Sequence, residues 1–226
     1  MEAGATQGTR SGEALEALCL TYWKPLYAFL RRRGHSKQDS QDLVQGLFHH
    51  LLQRREFFKR ADRNQGQFRC FLLGALKHFL ADTKAKESAL KRGGGTAARI
   101  ALDIDAMDEV LGDPNSEDPS EAYDRQWAMT ALNEAVQRLR TKAEKANQVE
   151  LHEIVYAYIS GKLGKRSPRE LASELELTED AFKMKATRMR QALRASLNDV
   201  VAETVADFSA LPGELAYLKG LMIKSF

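Results

Sequence analysis

Asp39, Asp42, Gln45 and His49 recur every three or four residues in the stretch DSQDLVQGLFHHLL (39–52). On a helix that spacing gathers them on one side. Two carboxylates and an imidazole are residue types that hold a divalent cation or divide the work of a general acid and a general base. The same face also suits docking against a basic protein surface. Leu43, Val44, Leu47, Phe48, Leu51 and Leu52 form an apolar stripe on the other side, and Gly46 stands bare in mid-helix. A metal site needs further ligands, and no second carboxylate-rich helix is evident. His35, His50, His78 and His152 lack partners at zinc spacing. Gly93 to Gly95 lack the Lys-Ser/Thr of a phosphate loop. Neither a metal nor a phosphate-bound cofactor is therefore expected. A helical enzyme with Asp39, Asp42 and His49 on a metal is the weaker alternative.

The elements that position this face are helical. A chain of 226 residues with 43% hydrophobic residues is long and apolar enough for one or two cored domains. A net charge of +3 does not by itself call for nucleic acid, so the distribution of charge must decide. Cys19 and Cys70 lie singly in apolar stretches and read as buried thiols of a reducing cytoplasm. No apolar run approaches the ~18 residues of a membrane span. Residues 1–12 have no apolar secretion signal and read as a disordered lead-in.

Period-two alternation is nearly absent, and helical periods run almost throughout. A first helix is predicted to end at Gly34 after the basic turn Arg31-Arg32-Arg33. Ser36 then caps the helix of the opening stretch. A basic loop follows, and a third helix runs from about Phe68 to Arg92. Between Arg99 and Arg125 there is no basic residue, while acids and two prolines accumulate. This reads as a flexible acidic linker, 96–118, between helical domains at 13–95 and 119–197. The expected fold is all-α. Residues 198–226 form a tail of one or two short helices, with a break at Pro212-Gly213.

The second domain carries the more specific signal. In SPRELASELELTEDAFKMKATRMRQALRASL (167–197), Ser167, Pro168 and Glu170 spell a capped short helix. Three turn residues follow, and Thr178 caps a longer helix whose apolar stripe is Phe182, Ala186, Met189 and Leu193. Lys183, Met184, Thr187, Arg188 and Gln191 fall outside that stripe. Short helix, tight turn and longer basic helix make the helix-turn-helix plan, in which the second helix enters the major groove. A helical hairpin with a solvated basic face fits the same pattern. Glu176 occupies a turn position that often needs glycine, and Asp180 adds negative charge near the reading face.

In the first domain Lys77, Lys84 and Lys91 share one face of the third helix. The loop before it holds Asp62, Arg63, Asn64, Gln65 and Gln67, a mixture of charge and amides suited to single-stranded DNA or to a solvated surface.

Three segments together resemble one family. YWKPLYAFLRRRGHSKQDSQDLVQGLFHHLL (22–52), FRCFLLGALKHFLADTKAKESALKRGG (68–94) and SPRELASELELTEDAFKMKATRMRQAL (167–193) look, in order and spacing, like regions 2.1–2.2, 2.3–2.4 and 4.2 of bacterial RNA polymerase sigma factors of the extracytoplasmic-function (ECF) group of the sigma-70 family. The resemblance implies a cytoplasmic transcription-initiation factor. Its first domain binds the β′ clamp helices of core polymerase and the −10 element. Its second binds the −35 duplex and the β flap. An anti-sigma factor or other regulator is a further partner class, and no membrane is involved. Asp39, Asp42, Gln45 and His49 fall on the polymerase-docking face. Asp62, Arg63, Asn64, Gln65 and Gln67 match the loop that captures an extruded −10 base, and Lys77, His78 and Lys84 the helix that follows it. Lys183, Met184, Thr187 and Arg188 match the −35-reading positions. Gly46 stands where the family often has an acid, and His78 where it often has Asn. A DNA-binding regulator that does not bind core polymerase is the alternative.

Overall fold

A computed structural model describes residues 21–53, 68–89, 118–205 and 208–224. The lead-in, the basic loop and the acidic stretch up to Glu117 lie outside the described residues. Apart from an isolated bridge at Val205, all regular structure among those described is helical, as the sequence periods predict. The helices are α1 (21–32), α2 (Lys37–Gln53), α3 (Phe68–Ala89), α4 (Pro119–Lys145), α5 (Val149–Ile159), α6 (Pro168–Glu174), α7 (Glu179–Ala202) and α8 (Leu211–Lys224), the last preceded by a 3-10 turn at Phe208–Ala210. No described helix is long and apolar enough to cross a membrane.

The chain divides into two compact units, Met1–Thr130 with Thr204–Phe226, and Ala131–Glu203. This differs from sequence boundaries at 119 and 198. The opening turns of α4 and the segment from Thr204 group with the amino-terminal helices.

In the first unit α1 buries Tyr22, Trp23, Leu26, Tyr27, Phe29 and Leu30. Trp23 stacks on Phe48 of α2, and Tyr22 meets Phe68 of α3 edge-on. Val44, Leu47, Phe48 and Leu51 are the buried part of the stripe predicted for α2. The chain leaves α1 through Gly34 at φ +84, with Gly34 N–H donating to the Arg31 carbonyl and His35 N–H to that of Leu30. This paired closure satisfies the last carbonyls of a helix and needs a left-handed residue, which glycine adopts without strain. Arg31 adds its own hydrogen bond to the His35 carbonyl at 2.8 Å.

Two expectations are corrected here. Cys70 is exposed, not buried, because it lies one residue (about 100° of helix) on from the buried Arg69. Pro212-Gly213 does not break the tail, since both residues lie in the first turn of α8. Proline's missing N–H has no helical partner to lose there.

In the second unit Val155, Leu171, Ala172, Phe182 and Ala186 form the core, with Leu151, Tyr158, Leu175, Leu177 and Met189 packed around it. Both ends of the short α6 are closed by local chemistry. Ser167 Oγ accepts from Glu170 N–H at 3.2 Å, and Glu170 Oε2 accepts from Ser167 N–H at 2.8 Å. At the other end Leu177 N–H donates to the Ala172 carbonyl and Glu176 N–H to that of Ser173. Leu177 thereby folds back onto the core. The residue in the left-handed position is Glu176, at φ +53, where its Cβ crowds the backbone. Thr178 Oγ1 then accepts from Ala181 N–H at 3.2 Å and starts α7.

Glu176 is exposed, so its side chain gives little back for the strain. Glu176→Gly is expected to stabilise the second unit by about 1 kcal/mol, the relief of a left-handed Cβ less glycine's extra unfolded-state entropy. Glu176→Val is expected to destabilise it. Denaturant unfolding of the full chain followed by a probe in α7 checks both signs.

Candidate protein-docking and nucleic-acid interfaces

The polar face of α2 begins at its cap. Ser36 Oγ accepts from Asp39 N–H at 3.1 Å and donates to Asp39 Oδ2 at 2.6 Å. Asp42, one turn on, accepts from Gln38 Nε2 at 3.1 Å. Both carboxylates are exposed. Gln45 is half-buried, and His49 is exposed with its Nε2 3.3 Å from Gln53 Nε2. The partners of these groups are local and uncharged, which leaves two anionic heads free to meet cations from outside.

What the sequence does not show is the other wall. Asp39, Asp42 and Leu43 line an open groove of about 910 Å3 together with Arg33, His35, Lys77, Phe79, Leu80 and Thr83. Lys77 therefore shares a groove with Asp39 and Asp42. Its ammonium lies 5.6 Å from the centroid of the Phe29 ring, and the Arg33 guanidinium lies 5.7 Å from the same ring. Such a groove, acidic on α2 and basic on α3 and the turn after α1, suits a partner surface bearing both signs of charge. His78, next along α3, is exposed. Asp62, Arg63, Asn64, Gln65 and Gln67 lie outside the described residues, as does the side chain of Lys84.

Gly46 acquires a physical role. A Cβ built there would stand 3.1 Å from Phe79 Cζ. The ring of α3 thus leans on the bare backbone of α2, with His50 5.8 Å from it on the same side. The glycine permits a close helix–helix approach at the edge of the groove, at the expense of helix propensity.

On α7 the predicted stripe and face separate as expected. Phe182 and Ala186 are buried, Met189 is packed on the core, and Lys183, Met184, Thr187, Arg188 and Gln191 are exposed. Met184 is 53% exposed, unusual for a long apolar side chain. Thr187 Oγ1 donates to the Lys183 carbonyl at 3.0 Å. Lys183 is paired with Glu179 at 2.6 Å. The hydrogen bond between them raises the lysine's pKa and lowers the glutamate's. A phosphate would have to draw this ammonium from Glu179, whereas no ion pair to Arg188 is seen among the described residues. Arg188 is thus the cation more ready for an incoming acceptor.

Sequence reasoning missed a buried, many-partnered polar group of the first unit. Arg69 is 6% exposed. Its guanidinium forms an ion pair with Asp124 of α4 and a two-pronged pair with Glu214 of α8, at 2.5 Å and 3.3 Å. The Trp127 and Tyr217 rings lie 5.3 and 4.6 Å from it. Burial disfavours the charge, but the hydrogen bond to Glu214 and the field of Asp124 outweigh it and raise the Arg69 pKa. The partners stand 55 and 145 residues away, so no local spacing reveals them.

No family model, curated protein or solved structure matches the chain. Among the described residues no group of three or more His, Cys, Asp or Glu side chains is placed to hold a metal ion.

The Gly46–Phe79 contact has a measurable signature. Glycine in a helix interior costs about 1 kcal/mol relative to alanine. Gly46→Ala is expected to recover that in a Phe79→Leu background, where the crowding Cζ is gone, and clearly less in the wild type. A double-mutant cycle in denaturant measures the coupling, and strict additivity would show that the ring does not press on the glycine.

Proposed function

We propose that the protein is a promoter-specificity subunit of bacterial RNA polymerase, a sigma factor of the extracytoplasmic-function type, acting in the cytoplasm without catalytic activity of its own. In this reading the chain works through two helical units. The first docks on the β′ clamp through Asp39, Asp42, Gln45 and His49 and opens the −10 element with the basic loop, Lys77, His78 and Lys84. The second reads the −35 duplex with a helix-turn-helix made of α6 and α7 and leans on the β flap.

The observation that carries the reading is the face of α7. A capped short helix and a three-residue turn deliver a long helix whose apolar side is spent on the core, and Lys183, Met184, Thr187 and Arg188 stand together near its exposed amino-terminal half. In a recognition helix these are the positions that meet base edges and phosphates. The polar face of α2 supports the other half of the reading, because its two carboxylates are held by neutral local partners and remain available to a cationic surface. The order of the three family-like segments along the chain ties the two faces to one function.

Co-purification with core RNA polymerase, followed by transcription on a genomic library and mapping of start sites, tests the whole. A DNA-binding regulator that ignores polymerase would retain duplex binding and fail the co-purification. Asp42→Arg reverses the charge at the centre of the docking face and is expected to abolish capture by core polymerase while leaving the fold intact by circular dichroism. Normal capture would refute the assignment of that face. Arg188→Ala is expected to weaken binding to the selected −35 duplex by about 1–3 kcal/mol if the guanidinium makes a two-pronged base contact. Unchanged footprints would remove Arg188 from the reading set.

A further inference from the structure

The carboxy-terminal helix buries few side chains fully in the unit it joins. Among its described side chains Glu214 and Leu218 are buried, Leu211, Leu215, Leu221 and Met222 are half-buried, and Pro212, Ala216, Tyr217 and Lys219 are exposed. By contrast α1 buries six large side chains. What α8 does contribute is polar and specific. Glu214 is 0% exposed and grips Arg69 with both oxygens, and the Tyr217 hydroxyl donates to Asp124 Oδ2 at 2.7 Å. Glu214, Tyr217 and Leu218 stand at i, i+3 and i+4, the anchor spacing of a helix lying in a groove.

We propose that α8 is a detachable intramolecular ligand of a cleft made by Arg69, Asp124 and Trp127, docked by the Arg69–Glu214 pair, and not a permanent part of the first unit's core. Two physical points favour release as a whole. Departure of α8 opens the cleft to water and leaves Arg69 with Asp124, so the penalty of an unpaired buried charge does not arise. A free helix of this length carrying Gly213 and Gly220 is marginal in water, so undocking and unwinding are one event. Covalent attachment supplies an effective concentration on the order of millimolar, enough for a modest contact to stay closed until something competes for it.

The consequence lies in the path of the chain. Arg69 and Tyr217 both hold Asp124, so docked α8 fixes the first turns of α4 against α3. The chain leaves the first unit at Thr130 and returns at Thr204. Thr204 is held apart from α8, its carbonyl accepting from Phe68 N–H at 3.4 Å, so release of α8 loosens the opening of α4 and leaves the point of return in place. This inference stands apart from the promoter reading and survives its failure.

The test keeps the full chain. A protease recognition sequence is inserted after Val205 and cut in the folded protein. The freed fragment is expected to dissociate on dilution while the body keeps its helical signal and its thermal transition. A synthetic peptide of residues 206–226 should then rebind one-to-one and restore hydrogen-exchange protection to 119–130. The same peptide with Glu214→Gln should bind roughly thirty-fold or more weakly, as expected for truncating one partner of a buried charge pair. In the uncut chain Glu214→Gln should lose exchange protection in 211–224 and 119–130 and keep it in α1 and α2. The proposal is overturned if the body unfolds as the fragment leaves, if the fragment stays bound at every dilution measured, if the Glu214→Gln peptide binds like the wild type, or if Glu214→Gln melts the whole unit.

Discussion

A buried guanidinium must be neutralised where it stands. Arg69 sits at the start of α3 with its charge among aromatic rings, and the first unit is organised around meeting that demand. Asp124 comes from α4 and Glu214 from α8, while Trp127 and Tyr217 offer ring faces to the cation. The Tyr123 hydroxyl reaches the Arg69 carbonyl at 2.9 Å, so even the backbone of this residue is held by α4. Asp124 still neutralises the guanidinium when Glu214 departs, whereas loss of Arg69 would leave two carboxylates without their cation, at a typical cost of about 3–5 kcal/mol. The requirement joins segments that the sequence separates by more than a hundred residues. It also explains why the first unit takes in the opening of α4 and the tail.

The two candidate interfaces rest on different physics. The α7 face depends on local closure, with a capping box and a hydroxyl cap starting the helices and a left-handed turn residue between them. That turn places Leu177 on the core and so fixes which side of α7 faces water. The α2 face depends on a contact between helices. Gly46 lets Phe79 come close, and the groove beside that contact collects Arg33 and Lys77 opposite Asp39 and Asp42. A docking surface with both signs of charge selects a partner by arrangement more than by net attraction.

Much of this was legible in the chain. Helix positions followed from apolar periods and from punctuation by Gly34, Ser36, Ser167-Pro168 and Thr178, since capping and turn closure are satisfied within a few residues. The exposed set on α7 was legible for the same reason, because a strong stripe of Phe182, Ala186 and Met189 leaves the remaining positions outside. Gly46 could only be flagged as odd, because the ring that explains it comes from another helix. Pro212 misled because proline is forbidden inside a helix and welcome at its start, and the pattern alone did not say which applied.

The sequence by itself determined the all-helical class, most helix ends and the split between apolar and polar faces, all of which are decided by interactions spanning a few residues. Only the tertiary structure decided that Lys77 shares a groove with Asp39 and Asp42, that Cys70 faces outward, and that Arg69 finds its counter-charges in Asp124 and Glu214. Those pairings depend on which helices lie side by side, and a one-dimensional pattern carries no term for the distance between residues far apart in the chain.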